Sequence, residues 1–321
     1  MTQTNPHMNL QKDTQITARI IANYGHQYLA LPLDARTDQD APPFISLVAR
    51  GKKHGYAVGD VVLVTTGSVN QGAIEKVVER TNMFYRSEFN KQKNLAANIN
   101  QVAIVCATEP AFSEELLGRA LICAGVAQIP VLIILNKIDV TDKLEAARAT
   151  MATYPKLGYE VIEISTQDAA GLQAQIVPHL SGKTTLLMGQ SGMGKSSLIN
   201  ALIPDALIKT REISSVLNSG KHTTTFTRLH DCAFDGVHSQ IIDSPGFEQF
   251  GMAQFSLSQI QHAMPEFVPF LGQCKFNNCA HIHEPQCPIL DALACGQISQ
   301  NRYDFYLRLV EQLKYYERAL Y

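Results

Sequence analysis

Two short patterns occur in an order that constrains the fold more than any other feature of the chain. Gly189-Gln190-Ser191-Gly192-Met193-Gly194-Lys195-Ser196 satisfies the Gly-x4-Gly-Lys-Ser spacing of a phosphate-binding loop, and Ser197 extends it. About fifty residues upstream, Asn136-Lys137-Ile138-Asp139 spells Asn-Lys-x-Asp, a pattern suited to reading a guanine base. Such a reader ordinarily follows the phosphate loop, so either the upstream pattern is accidental or the chain is rewired.

The surroundings favour rewiring. The strand-like run at 184–188 precedes the phosphate loop and a helix-like run opens at Lys195, the context the loop requires. Its glycines let backbone N–H groups turn inward around phosphates, aided by the partial positive charge of the helix N-terminus. Lys195 is then placed for the β/γ oxygens and the Ser196 hydroxyl for Mg²⁺. Asn136 follows the apolar run "VLIIL", as a ligand loop at a strand's C-terminal end should. A carboxylate at Asp139 accepts from guanine N1–H and the 2-amino group; adenine lacks those donors and would leave the carboxylate desolvated and unpaired. Asn136 is expected to brace the loops and the Lys137 stem to cover the base plane. The next strand ends "EIST", which makes Ser165 and Thr166 a second base-facing loop.

Downstream, "IIDSPG" places Asp243-x-x-Gly246 at a strand end, with Asp243 able to hold Mg²⁺ through water and the Gly246 N–H able to sense a γ-phosphate. Between them lies "HTTTF", from His222, where a Mg²⁺-binding threonine is expected; spacing leaves Thr223, Thr224 and Thr225 open as the ligand. The resulting order is that of an ordinary GTPase cut after Asp-x-x-Gly with its old ends joined. Chain ends usually lie close together, so every strand can keep its place in the sheet. The cut also sends the chain from the γ-phosphate sensor straight into the C-terminal part, so nucleotide state can reposition that part.

A length of 321 residues predicts two or three domains, and 45% hydrophobic with 17% charged residues describes a chain able to bury a core. Formal charge is −2, so any polyanion binding must come from local patches such as Arg50, Lys52 and Lys53 or Arg86, Lys91 and Lys93. Residues 1–14 are polar and expected to be disordered, without the apolar core of a signal peptide. No window approaches the ~18 consecutive apolar residues of a membrane helix. A cytoplasmic protein without membrane contact is expected.

Residues 15–90 carry five short runs rich in branched residues, punctuated by Gly, Asp and Asn. They fit a small β-barrel of the OB type, the frame preferred over an SH3-like module because "HGYAVGDVVLV" enters a strand through Gly-Asp. Residues 91–254 alternate apolar strand runs with helices, the rhythm of a mostly parallel, doubly covered α/β sheet. Residues 255–321 read as helices around a Cys/His knot, ending in an amphipathic helix with Phe305, Leu309 and Leu313 on one stripe.

Seven cysteines suit a disulfide framework poorly. Three of them, in Cys274-x4-Cys279-x-His281-x5-Cys287, form with the histidine a closed Cys₃His set for one structural Zn²⁺. The metal would substitute for a core too small to hold such a turn. His283 is expected to be a surface residue, and Cys106, Cys123, Cys232 and Cys295 to be buried small hydrophobes.

Together, the N-terminal barrel, the permuted "NKID … GQSGMGKSS … GKHTTT … DSPGF" and "CKFNNCAHIHEPQC" resemble the bacterial ribosome small-subunit-dependent GTPase A family over about residues 15–320. The resemblance implies a circularly permuted GTPase that binds GTP/GDP with Mg²⁺ and acts in late maturation of the small ribosomal subunit. The barrel and zinc domain would contact the subunit's 16S rRNA, hydrolysis would be stimulated by the subunit, and the protein would be a monomer. Phe247 stands where Ras-like enzymes place the water-positioning Gln, and the resemblance points to His222 as the catalytic substitute. Two other readings compete: a nucleotide-gated RNA-binding module on rRNA or tRNA with incidental turnover, and a P-loop kinase or ATPase, which Asp139 argues against.

Overall fold

Branched residues on alternate positions give the N-terminal third its strands, because only the inward-facing half of each strand needs to be apolar. In a computed structural model, residues 14–25, 27–33, 44–50, 55–68, 70–88, 91–204 and 226–319 are described. The five expected strands are β1 (Thr14–Asn23), β2 (Gln27–Pro32), β3 (Ile45–Ala49), β4 (Val61–Ser68) and β5 (Gln71–Glu79). Pairing runs β1–β2–β3–β5–β4 and returns to β1, antiparallel throughout except for parallel β3–β5. That closure is the OB pattern. Ile20, Leu47, Val62, Val64 and Ile74 fill the interior. A Cβ at Gly72 would stand 2.6 Å from Val64 Cγ1, so this strand position admits only glycine.

The Gly-Asp entry to β4 has a physical reason. Gly59, at φ +95°, lies so close to the Ala97 carbonyl that a Cβ would sit 2.1 Å from its oxygen. Asp60, fully buried, accepts from the Ala57 N–H at 2.8 Å and pairs with Arg80, closing the turn. Ala97 ends a hairpin that the sequence patterns do not reveal, β6 (Met83–Glu88) with β7 (Lys91–Ala97), which straddles the expected boundary at residue 90.

The α/β part is built as expected. β8 (Gln101–Ala107), β9 (Val131–Asn136), β10 (Glu160–Glu163), β11 (Thr184–Met188) and β13 (Val237–Asp243) are parallel in the order β10-β9-β8-β11-β13; β12 (Arg228–Phe234) adds antiparallel at the edge. All seven residues of β8 are buried. Val102, Ile104 and Cys106 face one core with Leu117 and Leu121 of α1 (Glu114–Val126). Ala103, Val105 and Ala107 face the other, with Leu172 and Ile176 of α4 (Ala169–Leu180) and Leu198 of α5 (Lys195–Leu202). Between them in the chain, α3 (Thr153–Lys156) packs on β10, and Leu144, Ala147 and Met151 of α2 (Leu144–Met151) join the core that holds Ile133 and Leu135 of β9. One backbone partnership, Ala22 with Arg228, joins the barrel to this sheet, and the Tyr24 and Phe226 rings pack 4.9 Å apart beside it.

Of the C-terminal helices α6 (Leu257–His262), α7 (Pro288–Ala294) and α8 (Gln300–Ala319), α6 and α8 dock on α1. Phe305 and Leu309 of the expected stripe are buried and Leu313 packs at its margin. The seat is cut by glycines: a Cβ at Gly118 would fall 2.7 Å from the Phe305 ring, and one at Gly125 3.1 Å from Ala263. No described helix is long and apolar enough to cross a membrane. Gly118→Val is expected to displace Phe305 and lower stability by about 1–3 kcal/mol, read as a fall in the urea midpoint; an unchanged midpoint would show that α8 does not depend on this seat.

Candidate functional site

The phosphate loop takes its shape from positions that no side chain could occupy. At Gly189 a Cβ would lie 2.3 Å from the Val105 carbonyl oxygen of β8, and at Gly194, φ +91°, 2.3 Å from Asn136 Nδ2. α5 starts directly after Gly194, with Lys195 buried and Ser196 exposed in its first turn. Lys195 Nζ donates to the Gly189 and Gln190 carbonyls, each at 2.8 Å. Burial lowers the Lys195 pKa, against the opposing pull of the Asp243 charge.

Asp243 ends β13 opposite Leu187 of β11, one residue short of the phosphate loop's strand end. It is buried, and desolvation raises its pKa to about 6 despite Lys195. Its neighbour Ser244 bonds the Leu187 carbonyl through both N–H and hydroxyl. Gly246 rests on the phosphate loop: a Cβ there would be 3.1 Å from Ser191 N and 3.4 Å from Lys195 Nζ. Phe247 turns into the core, its ring 5.3 Å from that of Phe250, and therefore has no part in orienting water.

The guanine-reading pattern meets this cradle directly. Asn136 is fully buried at the end of β9; its Nδ2 donates to Met193 O at 2.9 Å and its Oδ1 accepts from the Lys137 N–H. Lys137 adopts a left-handed φ of 63°, and its Nζ donates to Gly192 O at 2.8 Å and Glu109 O at 2.7 Å. Ser165 Oγ donates to Asp139 Oδ1 and accepts from Gln167 N, so the second base loop touches the first. Parallel pairing of β9 with β10 makes this possible, since it ends both strands on the same edge.

Asn136, Lys137, Asp139, Ser165, the loop from Gly189 to Lys195, Asp243 and Gly246 are thus brought together, with Ile138, Thr166, Ser196 and Ser197 next to them in the chain. His222, Thr223, Thr224 and Thr225 lie outside the described residues. The turn between β8 and α1 also belongs to the site, although no sequence pattern marks it. There Thr108 Oγ1 donates to Lys137 O at 2.9 Å, and the Ser113 N–H donates to Gln190 Oε1 at 2.6 Å. Its position after a central parallel strand was the available signal. Arg86 is a correction: it lies in β6, 6% exposed, with Nη1 donating to Gln249 O at 2.9 Å, and is not free for phosphates. Arg50 pairs with Glu75, while Lys52 and Lys53 lie outside the described residues.

Oxygen donors at Ser196 and Asp243 suit a hard cation such as Mg²⁺. The zinc set passes a sharper test. The ligating atoms of Cys274, Cys279, His281 and Cys287 lie within 4.8 Å of one another. Cys274 and Cys287 sulfurs are 3.9 Å apart, and His281 Nδ1 is 3.5 and 3.4 Å from them. Zn–S bonds of ~2.3 Å in a tetrahedron put sulfurs ~3.8 Å apart, so the donor set is already sized for Zn²⁺. Burial lowers the His281 pKa, which keeps the imidazole neutral as a ligand must be.

Glu284 shapes the knuckle by accepting from the Ala280, Ile282 and His283 N–H groups at 2.8, 2.8 and 3.1 Å. Burial pushes its pKa up, but these backbone bonds outweigh that and bring it down to about 2. Tyr303 and Tyr306 of α8 donate to the His281 and Ala280 carbonyls. His283 is exposed, as expected. Cys106 and Cys123 are buried, but Cys232 is only half-buried and Cys295 is exposed, because it caps the C-terminal end of α7 and its side chain meets solvent.

With this geometry established, comparison with known proteins is direct. The RsgA GTPase family model matches residues 77–253. The chain is 48% identical over 295 residues to the small ribosomal subunit biogenesis GTPase RsgA of Burkholderia pseudomallei (strain 668), covering 92% of this chain and 91% of that one. It is 47% identical over 303 residues to the same-named protein of Paraburkholderia xenovorans (strain LB400), covering 93% and 94%. Among solved structures, YloQ, a circularly permuted GTPase, aligns with TM-score 0.64 and 26% identity over 97% of this chain and 98% of its own. YjeQ from Thermotoga maritima aligns with TM-score 0.68 and 24% identity over 94% and 99%, a likeness of fold.

Purified protein is expected to carry one zinc per chain by elemental analysis. Cys279→Ser is expected to lose the metal and to lower the melting temperature of the C-terminal helices, whereas Cys295→Ser leaves both unchanged.

Proposed function

The chain belongs to the RsgA GTPase family, and from that premise we propose how its residues divide the work of a GTP hydrolase acting in biogenesis of the small ribosomal subunit. The observation that supports this reading most is the bond from Asn136 Nδ2 to Met193 O, which fastens the base-reading loop to the phosphate loop although the chain supplies them in reversed order.

Asp139 accepts the guanine N1–H and 2-amino donors, with Ser165 Oγ holding its carboxylate in place. The Lys137 stem, anchored on Gly192 O, lies along the base. Lys195 exchanges its two carbonyl partners for the β/γ oxygens of the nucleotide, a charge-assisted and stronger bond. Ser196, Asp243 and one of Thr223, Thr224 or Thr225 hold Mg²⁺, which supplies neutralisation of phosphate charge. Gly246 N–H senses the γ-phosphate. Because Phe247 is committed to the core, His222 orients the attacking water, and docking of its loop on the subunit accelerates hydrolysis. The barrel and the zinc domain contact the 16S rRNA. The protein works as a monomer in the cytoplasm, with the Cys₃His set holding structural Zn²⁺.

GTP turnover is expected to rise when purified small subunits are added. His222→Ala is expected to lower the stimulated kcat about 100-fold with little change in KM; intact stimulated turnover would falsify the assignment. Asp139→Asn is expected to weaken GDP binding by about 3 kcal/mol while leaving the fold intact, measured by calorimetric titration with GDP and, for comparison, ADP. Equal binding of adenine nucleotides by the unmodified protein would sink the guanine reading.

A further inference from the structure

The stretch that follows Gly246 is held from two sides by arginines whose targets are consecutive backbone carbonyls. Arg86 of β6 reaches Gln249 O, and Arg119 of α1 reaches Phe250 O at 3.0 Å. Gly251 N–H also donates to Ser87 O at 3.1 Å. Of these contacts, those of Arg119 extend furthest. Its Nε and Nη2 both bond Glu115 Oε1, at 2.9 and 2.8 Å, which fixes the guanidinium plane. The remaining nitrogen, Nη1, donates both to Phe250 O and, at 2.6 Å, to Gln312 Oε1 of α8. Glu115 Oε2 in turn accepts from Arg308 of the same helix at 3.0 Å. One nitrogen with two N–H groups therefore joins the stretch after the sensing loop to the C-terminal helix, and it satisfies both acceptors only when both are in register.

The connection back to the nucleotide is stiff. Gly246 lies in contact range of Ser191 and Lys195, and the Phe247 N–H bonds Gly189 O at 3.4 Å. Phe247 and Phe250, both buried, pack edge to face, and Phe250 packs on Phe84. A packed aromatic pair shifts as a unit because interiors have little free volume to absorb displacement. Motion at Gly246 thus reaches the Phe250 carbonyl rather than dissipating in four residues of loop.

We propose that Arg119 is a positioning residue that passes the state of the γ-phosphate-sensing loop to the C-terminal helix, by holding Phe250 O and Gln312 on one nitrogen. The proposal rests on the reading of Asp243-x-x-Gly246 as nucleotide-responsive. When the loop shifts Phe250 O, Arg119 stays with Glu115, one of the two Nη1 bonds is lost, and α8 with its two zinc-knuckle tyrosines is released from or drawn to α1. Two guanidinium nitrogens on Glu115 Oε1 must hold the plane while the third serves Phe250 O and Gln312, so lysine cannot substitute.

Hydrogen–deuterium exchange of the full-length protein, loaded with GDP or with a non-hydrolysable GTP analogue, tests it at residues 243–251 and 303–316. In the unmodified protein both segments are expected to exchange at severalfold different rates in the two states. In Gln312→Leu, segment 243–251 keeps its nucleotide difference and segment 303–316 loses it; Arg119→Lys loses it too. A merely structural contact would raise exchange of α8 in both states and preserve the difference. Survival of the α8 difference in both variants overturns the proposal, as does an α8 that ignores nucleotide while 243–251 responds. If 243–251 itself fails to respond in the unmodified protein, the reading of the sensing loop falls first.

Discussion

Strand polarity is the constraint on which the site depends. Because β8, β9, β10, β11 and β13 are parallel, their C-terminal ends open on one edge, and every loop that leaves them arrives at the same place. Asn136 stands beside Ala107, and Leu187 beside both Ala103 and Asp243. Position within the sheet, not order along the chain, therefore decides which loops meet. A permuted chain loses nothing at the site, provided each strand returns to its slot.

Within that frame the glycines decide how closely the loops approach. The carbonyl of Val105 and the amide of Asn136 occupy the volumes where side chains at 189 and 194 would be. This contact brings Asn136 and the Gly-rich loop within one hydrogen bond, while Lys195 rests on the Gly189 and Gln190 carbonyls. The Asp243 carboxylate lies buried beside this cradle, and desolvation raises its pKa.

The permutation also runs the chain from the end of β13 directly into the C-terminal helices. In this chain α1 serves both parts: its inner face covers the central sheet, and its outer face, notched at Gly118 and Gly125, receives Phe305 and Ala263 of the C-terminal part. The zinc knuckle is too short to bury a core of its own. Its four candidate ligand atoms lie within 4.8 Å of one another, and it is held by Glu284 gathering three N–H groups and by two tyrosines from α8. Displacement of α8 is therefore displacement of the knuckle.

Much of this was legible in residues alone. The spacing of Gly189, Gly194, Lys195 and Ser196, of Asn136 and Asp139, and of the three cysteines with His281 pointed to a permuted GTPase and to a candidate metal set, because each depends on local chemistry at fixed separation. The five barrel strands were legible for the same reason, since alternation is a local property. The β6–β7 hairpin was not, because "YRSEFNKQKN" is polar and its aromatic partners Phe250 and Phe255 lie far along the chain. Nor could residue types place Arg86 and Arg119 on the carbonyls of Gln249 and Phe250: arginines in sequence look like solvated charge. Only the tertiary structure decided these, because hydrogen bonds across more than a hundred residues depend on how elements pack, and packing is set by the whole chain at once.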